Sequence, residues 1–406
     1  MIKIKTRILL MIALCMMLSI FLNKEITKAQ TTEPFKINTL DPTQKTPAEA
    51  GSKTDSETGS ETDAETGSET VSEDDQKVRI LFIGNSHTFY NHMPYMVQGL
   101  ASGAGINCEV KVIAEKGCTL VRHADPEDPQ GAKVYEALRD VKWDYVVLQE
   151  HRRNLVRRRT RSRQAFQTLC DEIEKNGAQA ILYIPHSEKI GGYFRINGNR
   201  VYLTNYQIDD RLSRNGYQLA NPLNVRIADY SLNNMLMRIQ NPRINLYKSD
   251  KLHPSVNGSY LAACTIFATI FDKSPYRNPY LPGSKLDQDG LLKSMRRQNA
   301  ILIQNLADSR LVAKDNYVIV DKGESGTLSA SFTCDNPRSE KKRSNQAIYW
   351  SSVNPNAISV NSVTGQFTAL ATGKYLVKAY TESGLSTYIT VQVVDPEAIP
   401  EYDTDM

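Results

Sequence analysis

Ser86 follows the apolar run Ile80–Ile83 in the stretch Gly84-Asn85-Ser86-His87. A serine just past a buried strand, with a small glycine beside it, can stand exposed at the carboxyl edge of a sheet. Its hydroxyl is a poor nucleophile until a base removes its proton. Far downstream, Asp250-Lys251-Leu252-His253-Pro254 supplies such a base. Asp and His at i, i+3 fit one side of a single turn, where the carboxylate fixes the imidazole tautomer and stabilises its charged form. Pro254 then suits the first turn of a helix. Taken singly, each piece has a plainer explanation: Ser86 as a helix N-cap, Asp250 as a turn residue, and His253 as a surface histidine. Together they point to ester hydrolysis, with Ser86 as nucleophile, His253 as base and Asp250 as its orienting acid.

Such a reaction passes through an oxyanion that needs donors placed in advance. The Ser86 amide is one candidate. Gly117, in AEKGCTL, can offer a second backbone N–H. Gln149, ending the run WDYVVLQ, offers a side-chain amide, with His151 as the alternative; Gln149 reads equally well as an ordinary polar cap on a strand end. His87 and His123 either line the pocket or lie on the surface. His151 and Arg152 are candidates for substrate contacts.

Positioning these groups requires a parallel sheet. VRILFIGNS, NCEVKVIAE (107–115), WDYVVLQE (143–150), AQAILYIPHS (178–187) and NVRIADYS (224–231) read as strands. Helical stretches are expected at 93–103, 130–140, 160–176, 204–219, 253–271 and 286–309. Unbroken apolar strands alternating with helices imply an α/β domain over 77–312, its sheet covered on both faces. Ligands in such sheets bind beyond the carboxyl ends of the strands, where Ser86 and Gln149 fall. From about 315 short alternating segments broken by Gly, Pro, Asn and Ser predict a small β-sandwich over 315–397.

ILFIGNSHTFYNHMP, AEKGCTLVRH, WDYVVLQEH and DKLHPSVNGSYLAACTIFATIF resemble the successive blocks of the SGNH/GDSL hydrolase superfamily, and within it a bacterial branch of SGNH-like domains of unknown function. The resemblance covers about 77–275. It implies a flavodoxin-like three-layer α/β/α fold and metal-free, cofactor-free ester hydrolysis. It assigns Ser86, His253 and Asp250 the roles given above, and matches Gly117 to the second-block glycine. The chain departs from the family pattern at Asn85, where the founding motif has Asp, and at Gln149-Glu150-His151-Arg152, where Gly-Xaa-Asn-Asp is usual. WSSVNPNAISVNSVTGQFTALATGKYLVKAY resembles a bacterial immunoglobulin-like domain of the second group, a module of secreted and surface proteins.

The start of the chain sets the expected compartment. Lys3, Lys5 and Arg7 precede an apolar run from Ile8 to Leu22, and Thr27-Lys28-Ala29 offers a cleavage point, the pattern of a secretory signal peptide over 1–29. The run is short for a membrane span of roughly 20 residues. Residues 30–76 are acidic and rich in Ser, Thr, Glu and Gly, and read as an unfolded tether; 398–406 is a tail. Six cysteines, one of them in the signal, show neither CxxC nor HxxxH spacing, so no zinc site is expected. A Cys108–Cys118 disulfide is sterically conceivable, but the fold does not call for it.

Arg152, Arg153, Arg157, Arg158, Arg159, Arg161 and Arg163 crowd one stretch. They suit an anionic polymer or form a solvated helix face, the more ordinary outcome. A net charge of +4 on 406 residues does not point to nucleic acid, and export argues against it. The expectation is therefore a secreted or surface-associated carbohydrate esterase acting on a polysaccharide or cell-wall glycan and removing acetyl groups. The alternatives are a glycan O-acetyltransferase on the same fold and a non-catalytic glycan-binding protein.

Overall fold

The computed structural model describes residues 77–283, 295–335 and 347–395. The expected signal peptide, tether and tail, and residues 286–294 of the last expected helix, lie outside the described residues.

Five parallel strands form the central sheet: β1 (Val78–Gly84), β2 (Cys108–Ala114), β3 (Tyr145–Leu148), β4 (Gln179–Ile184) and β7 (Arg226–Asp229). Their order is β2-β1-β3-β4-β7. Ile80 through Ile83 are all fully buried, as a strand covered on both faces requires. Alternate residues serve opposite faces. Ile80, Phe82, Val147, Ile181 and Tyr183 join one apolar cluster, while Leu81, Ile83, Val146, Leu148, Leu182 and Ile184 join the other. The sheet is thus the middle of three layers.

The first face is covered by α2 (Met93–Gly103), α8 (Tyr230–Gln240), α9 (Val256–Phe271) and α10 (Arg297–Asp308). The second is covered by α4 (Pro129–Asp140), α5 (Arg152–Arg157), α6 (Thr160–Asn176) and α7 (Asn205–Ala220). Two further short helices, α1 (Ser86–Phe89) and α3 (Leu120–His123), follow β1 and β2. α9 is buried from Gly258 to Ile270 on every side, which its nearly unbroken apolar sequence permits. Beyond the expected set stand the two short helices α1 and α3, together with α5, α8 and a hairpin of β5 (Gly192–Ile196) with β6 (Asn199–Leu203). Phe82→Ala is expected to cost about 3–5 kcal/mol, read by denaturant unfolding, because the ring is fully enclosed between sheet and helices.

Cys108 and Cys118 are free thiols, so the disulfide is not formed. Cys108 opens β2 and Cys118 lies past its far end; an extended strand of that length separates them by about 20 Å, far beyond bridging distance.

Among the described residues from 310 onward the strands pair antiparallel apart from one pairing. β8 (Arg310–Ala313) pairs with β11 (Ala330–Thr333), so the β part begins ahead of residue 315. A four-stranded sheet has the order β12-β15-β16-β9, from β12 (Ile348–Ser352), β15 (Gly373–Thr381), β16 (Ser386–Val394) and β9 (Tyr317–Asp321). Only β9 runs parallel to its neighbour there. A three-stranded sheet has β14 (Gln366–Ala369) between β10 (Ser325–Thr327) and β13 (Ile358–Val360). Trp350, Ile358, Phe367, Val377, Ile389 and Val391 fill the space between. This part is docked on α7: Tyr217 packs with Leu376 and Tyr388, and Asn221 Nδ2 donates to the Tyr388 carbonyl at 3.0 Å. No helix among the described residues is long and apolar enough to cross a membrane.

Candidate active site

β1 delivers Ser86 to the carboxyl edge of the sheet. The turn after it is built by Asn85, whose Oδ1 accepts from the His87 amide at 3.1 Å and so caps α1. Asn85 Nδ2 donates to the Cys118 carbonyl at 2.9 Å, tying this turn to the one that holds Gly117. Gly84 has no room for a side chain: a Cβ there would stand 2.3 Å from Thr88 Oγ1 and 2.8 Å from Gln149 Oε1. Both neighbours are buried. Gly84→Ala is therefore expected to displace the Ser86 turn, lowering both the unfolding midpoint and ester turnover, whereas an exposed Gly177→Asn at a helix end should leave turnover unchanged.

The loop before α9 carries the other two groups. Asp250 Oδ1 accepts from the amides of Leu252 and His253, each at 2.9 Å, and its Oδ2 lies 2.7 Å from His253 Nδ1. His253 Nε2 lies 3.1 Å from Ser86 Oγ. The carboxylate beside Nδ1 assigns the proton to that nitrogen and leaves Nε2 as acceptor. Burial raises the Asp250 carboxyl, but the hydrogen bonds from His253 and from the two amides outweigh it and hold it down at about 2. The loop itself is clamped. Its Lys251 carbonyl accepts from Lys189, its Leu252 carbonyl from His186 Nε2 at 3.1 Å, and its His253 carbonyl from Lys248.

Tyr90 covers the imidazole. Its ring stacks on His253 with centroids 4.2 Å apart, and Lys248 Nζ sits 4.5 Å from the same ring. The chain leaves this position through two successive left-handed residues, Asn91 (φ 53) and His92 (φ 54). Asn91 Nδ2 secures them by donating to the Pro254 carbonyl at 2.9 Å and to Ser259 Oγ at 2.8 Å. Loop and imidazole are thereby held by the same helix start.

Other expected site residues occupy different places. His87 is buried beside the row, its ring 5.7 Å from that of His253 and 4.9 Å from that of His186. Burial, then neighbouring His186 and Arg152, hold it well below the usual histidine range, so it is neutral. Gly117 lies in an exposed turn after β2 at φ 71, open above its Cα. His151 is half-buried at the start of α5, and burial, reinforced by Arg152 and Arg153, lowers its pKa.

Three expectations are corrected. Gln149 is fully buried with its amide turned inward: Oε1 accepts from the Asn85 amide and Thr88 Oγ1, and Nε2 donates to the Glu150 carbonyl. Fully buried, with Oε1 on the Asn85 amide and Nε2 on the Glu150 carbonyl, it fastens the Ser86 turn. Arg152 is buried and paired with Glu188, which compensates its charge. His123 lies fully buried and its Nε2 donates to the Gly84 carbonyl at 2.9 Å; burial keeps it neutral. It supports the turn from beneath.

Tyr90, Asn91, His186 and Glu188 join the site without having been expected from the sequence. His186 had a signal: it ends the β4 run, at the same sheet edge as Ser86. Tyr90 had only its closeness to Ser86 in the chain. Among the described residues no group of three or more His, Cys, Asp or Glu is placed to hold a metal ion.

No family model and no curated protein sequence matches the chain. Solved structures do. One, of an SGNH hydrolase candidate from Slackia heliotrinireducens, is 27% identical over 48% of this chain and 99% of its own, with a TM-score of 0.40. An acylhydrolase candidate from Bacteroides fragilis is 17% identical over 49% of this chain and 88% of its own, at a TM-score of 0.32. A psychrotrophic esterase from Pseudoalteromonas, inhibited by monoethylphosphonate, is 12% identical over 48% of this chain and 97% of its own, at 0.35.

Proposed function

We propose that this protein is a serine ester hydrolase in which Ser86, His253 and Asp250 act as a triad. The observation that carries this reading is the unbroken row Ser86 Oγ, His253 Nε2, His253 Nδ1, Asp250 Oδ2, with contacts of 3.1 and 2.7 Å. His253 takes the Ser86 proton as Oγ attacks the acyl carbonyl. Negative charge then gathers on the carbonyl oxygen. The Ser86 amide, which opens α1 and so has no intrahelical partner, stabilises it together with the Gly117 amide. His253 hands its proton to the departing alcohol, leaving an acyl-enzyme. Water, deprotonated by the same imidazole, releases the acid and restores the hydroxyl. Asp250 stays ionised throughout and stabilises the imidazolium.

The substrate we propose is an acetylated polysaccharide outside the cell. Two features support it: the signal-like start of the chain and the appended β part with its immunoglobulin-like sequence features. Incubation with an aryl acetate and with acetylated xylan tests the reading. Free acetate from both is expected, with or without a deacetylated glycan acceptor. Acetyl groups appearing on the acceptor instead of in water would make the protein a transferase, and no turnover of any ester would leave a binding protein.

A further inference from the structure

The arginine run is only partly absorbed by the site. Arg152 is paired inside, but Arg158 and Arg163 stand exposed on the other side of α5 and α6. Both line a cleft of about 230 Å³ between α6, α7 and the β part, facing Gln218, Lys374 and Tyr375. A smaller recess of about 20 Å³ shares Arg158, Arg163 and Gln218 with it and adds Arg159. We propose that this cleft binds an acidic glycan, one carrying a carboxylate or phosphodiester beside free hydroxyls.

Four observations converge on it. First, the backbone gathers the charges: Arg158 sits at φ 54 in the link between α5 and α6, a conformation a side chain rarely adopts. Second, the nearby carboxylates are paired or raised by burial. Asp210 pairs with Arg214 and Glu188 with Arg152 and Arg153; Glu150, which lines the smaller recess, accepts from the Leu120 and His151 amides through Oε1, and burial pushes its carboxyl up. Arg158 and Arg163 therefore face each other as like charges, a cost that a bound anion would remove. Third, Gln218 Oε1 is buried in the cleft wall without a hydrogen-bond partner. An acceptor among cations does not suit a bare anion; it suits a ligand that also donates a hydroxyl. Fourth, Lys374 and Tyr375 reach the cleft from β15, so both parts of the protein contribute to it. A polysaccharide held there would be tethered apart from the Ser86 site, which shares none of these residues.

Binding of the full chain to fluorescein-labelled polygalacturonate and to labelled poly(glycerol phosphate) at low salt tests this. Neutral dextran and inorganic polyphosphate serve as comparison ligands. At least one acidic polymer is expected to bind, and the tighter of the two identifies carboxylate or phosphate as the anion. Arg158→Gln/Arg163→Gln should weaken it about tenfold or more, and the strand-surface Lys374→Gln several-fold. The remote charge control Arg139→Gln should leave binding unchanged. All variants should keep wild-type aryl acetate turnover, so failure of this site and failure of the triad reading are separable. The proposal is overturned if neither acidic polymer binds, if both the double variant and Lys374→Gln bind like wild type, or if polyphosphate or dextran binds as tightly as the acidic glycans.

Discussion

Ser86→Ala is expected to lower kcat/KM toward an aryl acetate by about 10⁴-fold or more while leaving the unfolding transition in place. The hydroxyl meets His253 Nε2 at 3.1 Å, and the turn that carries it is held by other groups. Asn85 caps α1, Gln149 accepts from the Asn85 amide, and His123 donates to the Gly84 carbonyl. Removing one oxygen therefore deletes the proposed nucleophile without loosening its setting. Esterase kinetics and denaturant melts on the same preparation read both halves. Equal hydrolysis by wild type and variant would place the reaction elsewhere.

Asp250→Asn is expected to cost about 10³–10⁴-fold in kcat/KM, through the imidazole and not through substrate contact. An asparagine can present its amide to Nδ1 and favour the tautomer that carries the proton on Nε2, which cannot accept from Ser86. The pH profile separates this from simple damage. Asp250 is held at about 2, below the ordinary carboxylate value of 3.8, so wild type keeps its anion at every pH where ester hydrolysis is measured. A carboxyl lowered by folding contributes stability above its ordinary range, and that contribution fades only as pH falls from about 4 to 2. Loss of the anion removes the counter-ion of the imidazolium. The acid limb of the variant's kcat/KM profile should therefore move to lower pH while its plateau stays depressed. An unchanged profile with an unchanged plateau would exclude Asp250 from the reaction.

Much of the sheet domain was legible because burial on both faces leaves an unmistakable mark. Ile80–Ile83 and Val146–Leu148 are continuous apolar runs, and α9 is apolar all round. Asp250 and His253 were legible as a pair because their contact is local, formed within one loop. What stayed hidden depends on partners distant in sequence. Nothing in WDYVVLQ tells that the Gln149 oxygen, and not its nitrogen, meets the Ser86 turn; that is fixed by the Asn85 amide and Thr88 hydroxyl. Arg152 reads as a free cation until Glu188 is brought against it. His123 reads as a pocket or a surface residue until the Gly84 carbonyl claims its proton. Tyr90 covers the imidazole just ahead of two left-handed residues, Asn91 and His92, neither of them glycine. The hairpin β5–β6 exposes most of its side chains, so it lacks the apolar contrast that marks a buried strand.

A serine-directed fluorophosphonate followed by peptide mapping is the most direct test of how hydroxyl and imidazole cooperate. The phosphonyl group should attach to one residue, Ser86, and labelling should vanish in Ser86→Ala and slow sharply in His253→Ala. Labelling of a different residue, or none at all in a preparation that still cleaves esters, would contradict it.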